Sequence, residues 1–292
     1  MREFVAACAQ FSVTPNDIEA NARKSAEWLE KTVKTHNAEL VVMPETITTG
    51  FVTKLSTDEL FDLVDRIPGK TTARMQQEAA KWHTHVVWST YERGEEGIVY
   101  NTVALIGPEG DILGTYRKVH PFPTERLDLG GWTTRGDDPV VCDTDLGKIG
   151  LICCYDGDFP ELSRVEALMG AEILVRPSAF LRTFHIWQLT NLARAFDNHV
   201  YMVATNAVGP DGGMNYYYGH SMIVSPTAQI LAQARGTEET VAARLDPDPI
   251  QTLGCGSEVP MVFNHLEDRW IKAYRDILTD GTSTFPRFRP EA

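Results

Sequence analysis

Apolar positions along this chain fall into two regimes. Short runs with little strict alternation, such as FVAACAQFSV, AELVVMPE, HVVWSTYE and IVYNTVALIG, predict strands buried on both faces. Between them lie stretches with apolar residues at helical spacing. TPNDIEANARKSAEWLEKTVKTH has a proline near its start and early acids, so it predicts a helix. The alternation continues. DILGTYRKV is a strand, joined to IVYNTVALIG by the turn PEGD. GKIGLICC is a strand, FPELSRVEALMG a helix and AEILVRPS a strand. FHIWQLTNLARAFDNH is a helix and VYMVATNAV a strand. YGHSMIVSP and QILAQAR form a hairpin, with TVAARL following.

Two stretches of the first half recur in the second. AELVVMPE, from Ala38, matches AEILVRPS, from Ala171. YNTVALIGPEGDIL, from Tyr100, matches YGHSMIVSPTAQIL, from Tyr218, in the same order. Buried strands resemble one another, so chance likeness is one explanation. The other is a duplicated α/β unit, two sheets face to face with helices outside, and a site near where the halves meet. In that register Glu45 aligns with Ser178, so the acid belongs to the first half only.

Composition adds limits. The 292 residues are 43% hydrophobic and 23% charged, an ordinary globular balance. A single domain of this length is common in α/β folds. The formal charge of −13 argues against nucleic acid or an anionic membrane as partner. No apolar run approaches the ~20 residues that span a bilayer. MREFVAACAQFSV lacks the apolar core of a signal peptide and reads as a first strand. Five cysteines, two of them adjacent and none in a CxxC pair, do not form a disulfide framework, and a cytoplasmic location is expected. No Gly-rich phosphate loop, nucleotide fingerprint or calcium loop is present, and the lack of zinc-like spacing disfavours metal binding.

Three short stretches carry candidate chemistry. In VVMPETITTGF, Glu45 follows a buried strand, where α/β sheets present ligand-binding groups. It reads as a general base or acid, or equally as a solvated acid beyond a strand end. In GTYRKVHPFPTERLDLGGW, Lys118 ends a strand and Glu125 follows in a loop. A lysine there suits a developing oxyanion, or is a surface residue on a hairpin edge. His120 is a tempting base, but no triad around it is readable. In GLICCYDGDFPELSR, a strand turns into a helix, a good mount for a nucleophile. Cys154 sits at the turn and Cys153 still in the apolar strand, so spacing favours Cys154 without excluding its neighbour.

Glu45, Lys118 and Cys154, in that order, resemble the nitrilase superfamily of carbon–nitrogen hydrolases. The matches are VVMPE with the following GF, YRKVH, and CYDGDFPE; ARAFDNHVYMVATNAVG and YGHSMIVSP resemble later family segments. The likeness runs from Phe4 to the late 240s; a core of about 4–248 and a C-terminal extension of about 249–292 would form one domain. It implies an αββα sandwich of four layers, paired as a homodimer or higher homo-oligomer. It also implies a Glu45–Lys118–Cys154 triad acting through a thioester with no metal or organic cofactor, and it places the nucleophile at Cys154. Lys118 and the backbone N–H of Tyr155 would hold the oxyanion. Glu125 falls where some members carry a second active-site glutamate, although Pro121 departs from the usual leucine and could displace that loop.

Family members act on nitriles, amides or N-carbamoyl amines. CYDGDFPE is closer to the amidase form, which makes a small primary amide the expected substrate, ahead of a carbamoyl compound and then a nitrile. The acidic DGDFPE disfavours an anionic substrate, while Arg176 and Arg182 keep that option open. Phe51, Phe122, Trp132, Phe159, Phe180, Trp187 and the NYYYGH run are candidate pocket residues, or equally core. A non-catalytic scaffold and a cysteine redox sensor are the readings from outside the hydrolases.

Overall fold

A computed structural model of the chain describes residues 1–211, 215–249 and 264–279. Cys255 and most of the C-terminal extension lie outside the described residues. The apolar runs are strands buried on both faces, and the reason is visible in their neighbours. In β1 (Phe4–Gln10), Ala6 and Cys8 face one apolar cluster, Ala7 and Ala9 another. The second cluster is covered by α1 (Ile18–His36), whose Trp28 and Leu29 pack onto it. Asp17 caps that helix by accepting from the Ala20 N–H at 3.0 Å. β2 (Leu40–Val42) splits the same way, Leu40 and Val42 to one side and Val41 to the other.

Two helices follow in a region without a helical expectation. α2 (Thr57–Leu63) starts at a Ser56–Glu59 capping box, and α3 (Lys70–Trp82) packs beside α1. The chain then runs through β3 (His85–Arg93), β4 (Val99–Ile106), β5 (Ile112–Arg117), β6 (Val141–Thr144) and β7 (Gly147–Leu151). After β7 the expected strand ends early, and a 3₁₀ turn forms over Cys154–Asp158. α4 (Pro160–Leu168), β8 (Ile173–Ser178), α5 (Phe184–Asn198) and β9 (Tyr201–Asn206) come next. A short ribbon of β10 (Val208–Pro210) and β11 (Tyr216–Tyr218) precedes β12 (Met222–Val224), β13 (Ile230–Gln233) and β14 (Glu239–Leu245).

Among the described residues the strands form two six-stranded sheets, ordered β14-β1-β2-β3-β4-β5 and β13-β12-β9-β8-β7-β6. The first reads antiparallel, parallel, parallel, antiparallel, antiparallel from β14. The second reads identically from β6. The duplication expected from the repeated motifs is therefore present strand for strand, with β2 equivalent to β8 and β4–β5 to β12–β13. The sheets meet face to face: the Thr205 hydroxyl donates to the Val42 carbonyl at 3.0 Å across the interface. α1 and α3 cover the outer face of one sheet, and α4 and α5 that of the other. This is the four-layer αββα sandwich. No described helix is long and apolar enough to cross a membrane.

One core residue breaks the apolar pattern. Glu166 of α4 is fully buried, close to Asp156, Tyr116 and Cys142. Burial, then the Asp156 charge, pushes its carboxyl well above the usual range. The folded state thus binds this proton more tightly than the unfolded chain. The associated stability is complete below about pH 4.3 and is lost as pH rises through the raised value. Glu166→Gln removes this titration. Its Tm relative to the parent protein should climb as pH rises above about 4.3 in thermal melts, and a difference independent of pH would contradict the assignment.

Candidate active site

The ends of β2, β5 and β7 converge on one buried cluster. Glu45 follows β2 by three residues, Lys118 follows β5 directly, and both are nearly inaccessible. Lys118 Nζ donates to Glu45 Oε1 at 2.7 Å and also to Glu125 Oε1. Asn101 of β4 donates through Nδ2 to both carboxylates, at 2.8 Å to Glu45 and 3.1 Å to Glu125. Backbone amides complete the shell: Ala179 N donates to Glu45 Oε2 at 2.8 Å and Phe122 N to Glu125 Oε1 at 2.8 Å. Burial opposes the Lys118 charge, but Glu125 and Glu45 outweigh it and hold the pKa well above normal. Burial raises that of Glu125, against the pull of Lys118.

Cys154 lies at the first position of the 3₁₀ turn with φ of +45°, a left-handed conformation that non-glycine residues adopt under constraint. Two groups impose it. Arg176 of β8, fully buried, donates from Nε to the Cys154 carbonyl at 2.8 Å. Asp156 accepts the Cys153 N–H at 2.9 Å and the Tyr116 hydroxyl at 2.7 Å. Its other oxygen accepts the His120 N–H at 2.9 Å and faces His120 Nδ1 at 2.8 Å. Asp156 thereby locks the cysteine turn to the segment that follows Lys118. Gly157 is required here, because a Cβ would overlap the Arg176 guanidinium. Burial and then Glu45 push the Cys154 thiol far above its ordinary range, while Lys118, Arg176 and the Ala179 N–H pull it back.

A cavity of about 440 Å³ opens over Cys154. Phe51, Phe122, Trp132, Tyr155 and Phe180 form its aromatic walls, with Arg182 at the side. Two expected pocket rings sit elsewhere. Phe159 stacks on His120 at 3.8 Å and meets Tyr155 edge-on, one ring behind the wall. Trp187 is core, bonded through Nε1 to the His220 carbonyl at 2.8 Å. In the NYYYGH run, Asn215 lines the cavity, Tyr217 is buried and Tyr216 is exposed.

Cys153 also differs from the expectation of simple strand packing. The strand has already ended at Leu151, and the Cys153 thiol points at Glu45 Oε1 at 3.4 Å. Asn101, Asp156 and Arg176 were not assigned these roles from sequence. Only Arg176 carried a hint, as a charge inside an apolar strand. Among the described residues no group of three His, Cys, Asp or Glu is placed to hold a metal ion.

The fold and this constellation define an enzyme of the αββα hydrolase type with a buried Glu–Lys pair beside a strained cysteine. The Carbon-nitrogen hydrolase family model matches residues 5–254, and the chain belongs to that family, within the nitrilase superfamily. A probable nitrilase of Schizosaccharomyces pombe is 30% identical over 94% of this chain and 98% of its own length. An omega-amidase (NIT2-A) of Xenopus laevis is 34% identical over 84% of this chain and 90% of its own. The crystal structure of Saccharomyces cerevisiae Nit3, of branch 10 of the nitrilase superfamily, superposes with a TM-score of 0.76 at 29% identity, covering 85% of this chain and 91% of that one. An amidase from Nesterenkonia sp. shares the fold, with a TM-score of 0.77 at 22% identity over 94% of this chain and 96% of its own.

The double role of Asn101 is testable without any substrate. Asn101→Leu removes a donor from two buried carboxylates and should cost about 1.5–3 kcal/mol in urea denaturation at neutral pH. Asn101→Asp, which adds a third carboxylate, should cost more. Unchanged stability in both would show that the amide does not satisfy the pair.

Proposed function

We propose that this chain hydrolyses small primary amides to a carboxylic acid and ammonia through a thioester on Cys154. The observation that carries this reading is positional. Of the four described cysteines, Cys154 is the one that lines the cavity, and it does so beside Glu45 and Lys118. Glu45 is the general base. Its Oε1 is occupied by Lys118, Asn101 and Cys153, whereas Oε2 takes one donor, Ala179 N, and has capacity for the thiol proton.

In the proposed cycle the Cys154 sulfur attacks the amide carbonyl carbon as Glu45 takes its proton. Lys118 and the Tyr155 N–H stabilise the oxyanion. Glu45 returns the proton to nitrogen, the C–N bond breaks and ammonia leaves. Glu45 then takes a proton from water, whose oxygen attacks the thioester; the C–S bond breaks and Cys154 is reprotonated. Glu125 is a positioning residue that holds Lys118. Because the thiol is held protonated, a base beside it is a requirement of this chemistry.

The omega-amidase name of one relative group supports an amide, and the probable-nitrilase name of another supports nitrile hydrolysis as a second reading. Pairing of two copies across the helical faces belongs to the same proposal, supported by Val165, Leu168 and Leu189, exposed at 41, 51 and 66%. Sedimentation would read it as a dimer.

Ammonia release from matched short amides and nitriles separates the two readings. Amide turnover is expected, with an acyl adduct on the Cys154 peptide in mass spectra. Cys154→Ala and Glu45→Gln should each lower kcat about a thousandfold or more. Cys153→Ala should retain most activity, since it removes only a weak sulfur contact. Loss in Cys153→Ala with retention in Cys154→Ala would reverse the assignment.

A further inference from the structure

We infer that the Arg182–Asp158 ion pair closes the cavity to anionic substrates, so that the substrate class is the uncharged short amide and Asp158 is the residue that sets it. This rests on the amidase reading above.

Among the described residues, Arg182 is the one formally charged residue lining the cavity. Its guanidinium lies over Phe180, 4.5 Å from the ring centre, and 5.3 Å from that of Tyr155, so it forms part of the aromatic wall. Each of its terminal nitrogens gives one N–H to Asp158. They grip the two oxygens of Asp158 at 2.5 and 2.8 Å, the fork-to-fork geometry an arginine would otherwise offer a substrate carboxylate. Asp158 is anchored from behind as well: the buried Arg176 places Nη2 at 3.6 Å from its Oδ1, and Arg194 donates to its backbone carbonyl at 3.5 Å. An entering carboxylate therefore finds the bidentate fork taken and must compete for Arg182 with an internal carboxylate that Arg182 and Arg176 hold.

Among the described residues no other charged side chain lines the cavity. The Lys118 ammonium is shared between Glu45 and Glu125. Among the described residues around the site four cations, Lys118, Arg176, Arg182 and Arg194, stand against five carboxylates, Glu45, Glu125, Asp156, Asp158 and Asp197. A carboxylate substrate would meet a mainly apolar lining whose charged side chain, Arg182, is already paired, and unpaired buried charge is costly. A neutral acyl chain meets aromatic rings and the flat face of a guanidinium. Remove the Asp158 charge and the same wall becomes a carboxylate receptor.

A matched pair of amides tests this: succinamate and isocaproamide have nearly the same shape and differ in charge. The parent enzyme should favour isocaproamide in kcat/KM by about tenfold or more. Asp158→Asn should shrink that preference about tenfold, and adding Arg182→Met should restore it. Equal use of the two amides by the parent enzyme, or a preference unmoved by Asp158→Asn, overturns the inference. If the variant turns over neither amide, alkylation of Cys154 by iodoacetate and iodoacetamide, read on its peptide and normalised to glutathione, must show the same shift toward the anion. An unshifted ratio overturns the inference there. A parent enzyme that releases no ammonia from any short amide defeats the amidase reading instead, and the alkylation ratio still judges the charge gate separately.

Discussion

One ammonium answers two buried carboxylates in this molecule, and much of the architecture serves that fact. Charges removed from water are stable only when every partner is in place. Lys118 alone does not suffice for Glu45 and Glu125. The remainder comes from Asn101 on the neighbouring strand, the Phe122 amide in the loop and the Ala179 amide beyond β8. Ala179 belongs to the second sheet, and Glu45 N also reaches the Ser178 carbonyl at 3.4 Å. The cluster is therefore complete only when the two sheets are closed on each other. Folding of the sandwich and assembly of the site are one event.

The duplication explains why the centre is asymmetric. In the repeated motif, Met43-Pro44-Glu45 of one half corresponds to Arg176-Pro177-Ser178 of the other. The first copy supplies the carboxylate beside Lys118. The second supplies the buried arginine that grips the Cys154 carbonyl. Two equivalent strand ends thus carry opposite charge to opposite sides of one cysteine. Thr46, after β2, and Cys154, after β7, have φ of +48° and +45° and are strained positions flanking this centre. At Cys154 the strain is supported by Arg176 from one side and Asp156 from the other.

The strand ends were legible because each functional residue follows a strand-like run: Glu45 after VVMP, Lys118 after DILGTYR, Cys154 after GLIC. Repeated motifs made the two-sheet layering legible too, since β2 and β8 keep the same local pattern. Asn101 was invisible for the opposite reason. It is a small polar residue within YNTVALI, and only the strand neighbours brought in by β3–β4–β5 pairing reveal that it faces two carboxylates. Cys153 packs in the core as its apolar setting implies, and its added contact to Glu45 is visible only once the two sheets meet. Phe159 carries a family motif but packs on His120, where it steadies Tyr155 from behind.

The cluster's charge balance also explains how a deeply buried thiol can serve as a nucleophile. With two carboxylates to one ammonium, a thiolate at rest would add a further negative charge to a nearly dry space. Burial and Glu45 accordingly hold Cys154 protonated. Ionisation becomes favourable only when the proton and the negative charge move apart together, the proton to Glu45 and the charge through sulfur to a substrate oxygen near Lys118. A substrate that brought its own carboxylate would work against this transfer. Fixing Arg182 to Asp158 and surrounding Cys154 with neutral aromatic walls serve the same electrostatic end as sharing Lys118 between two glutamates.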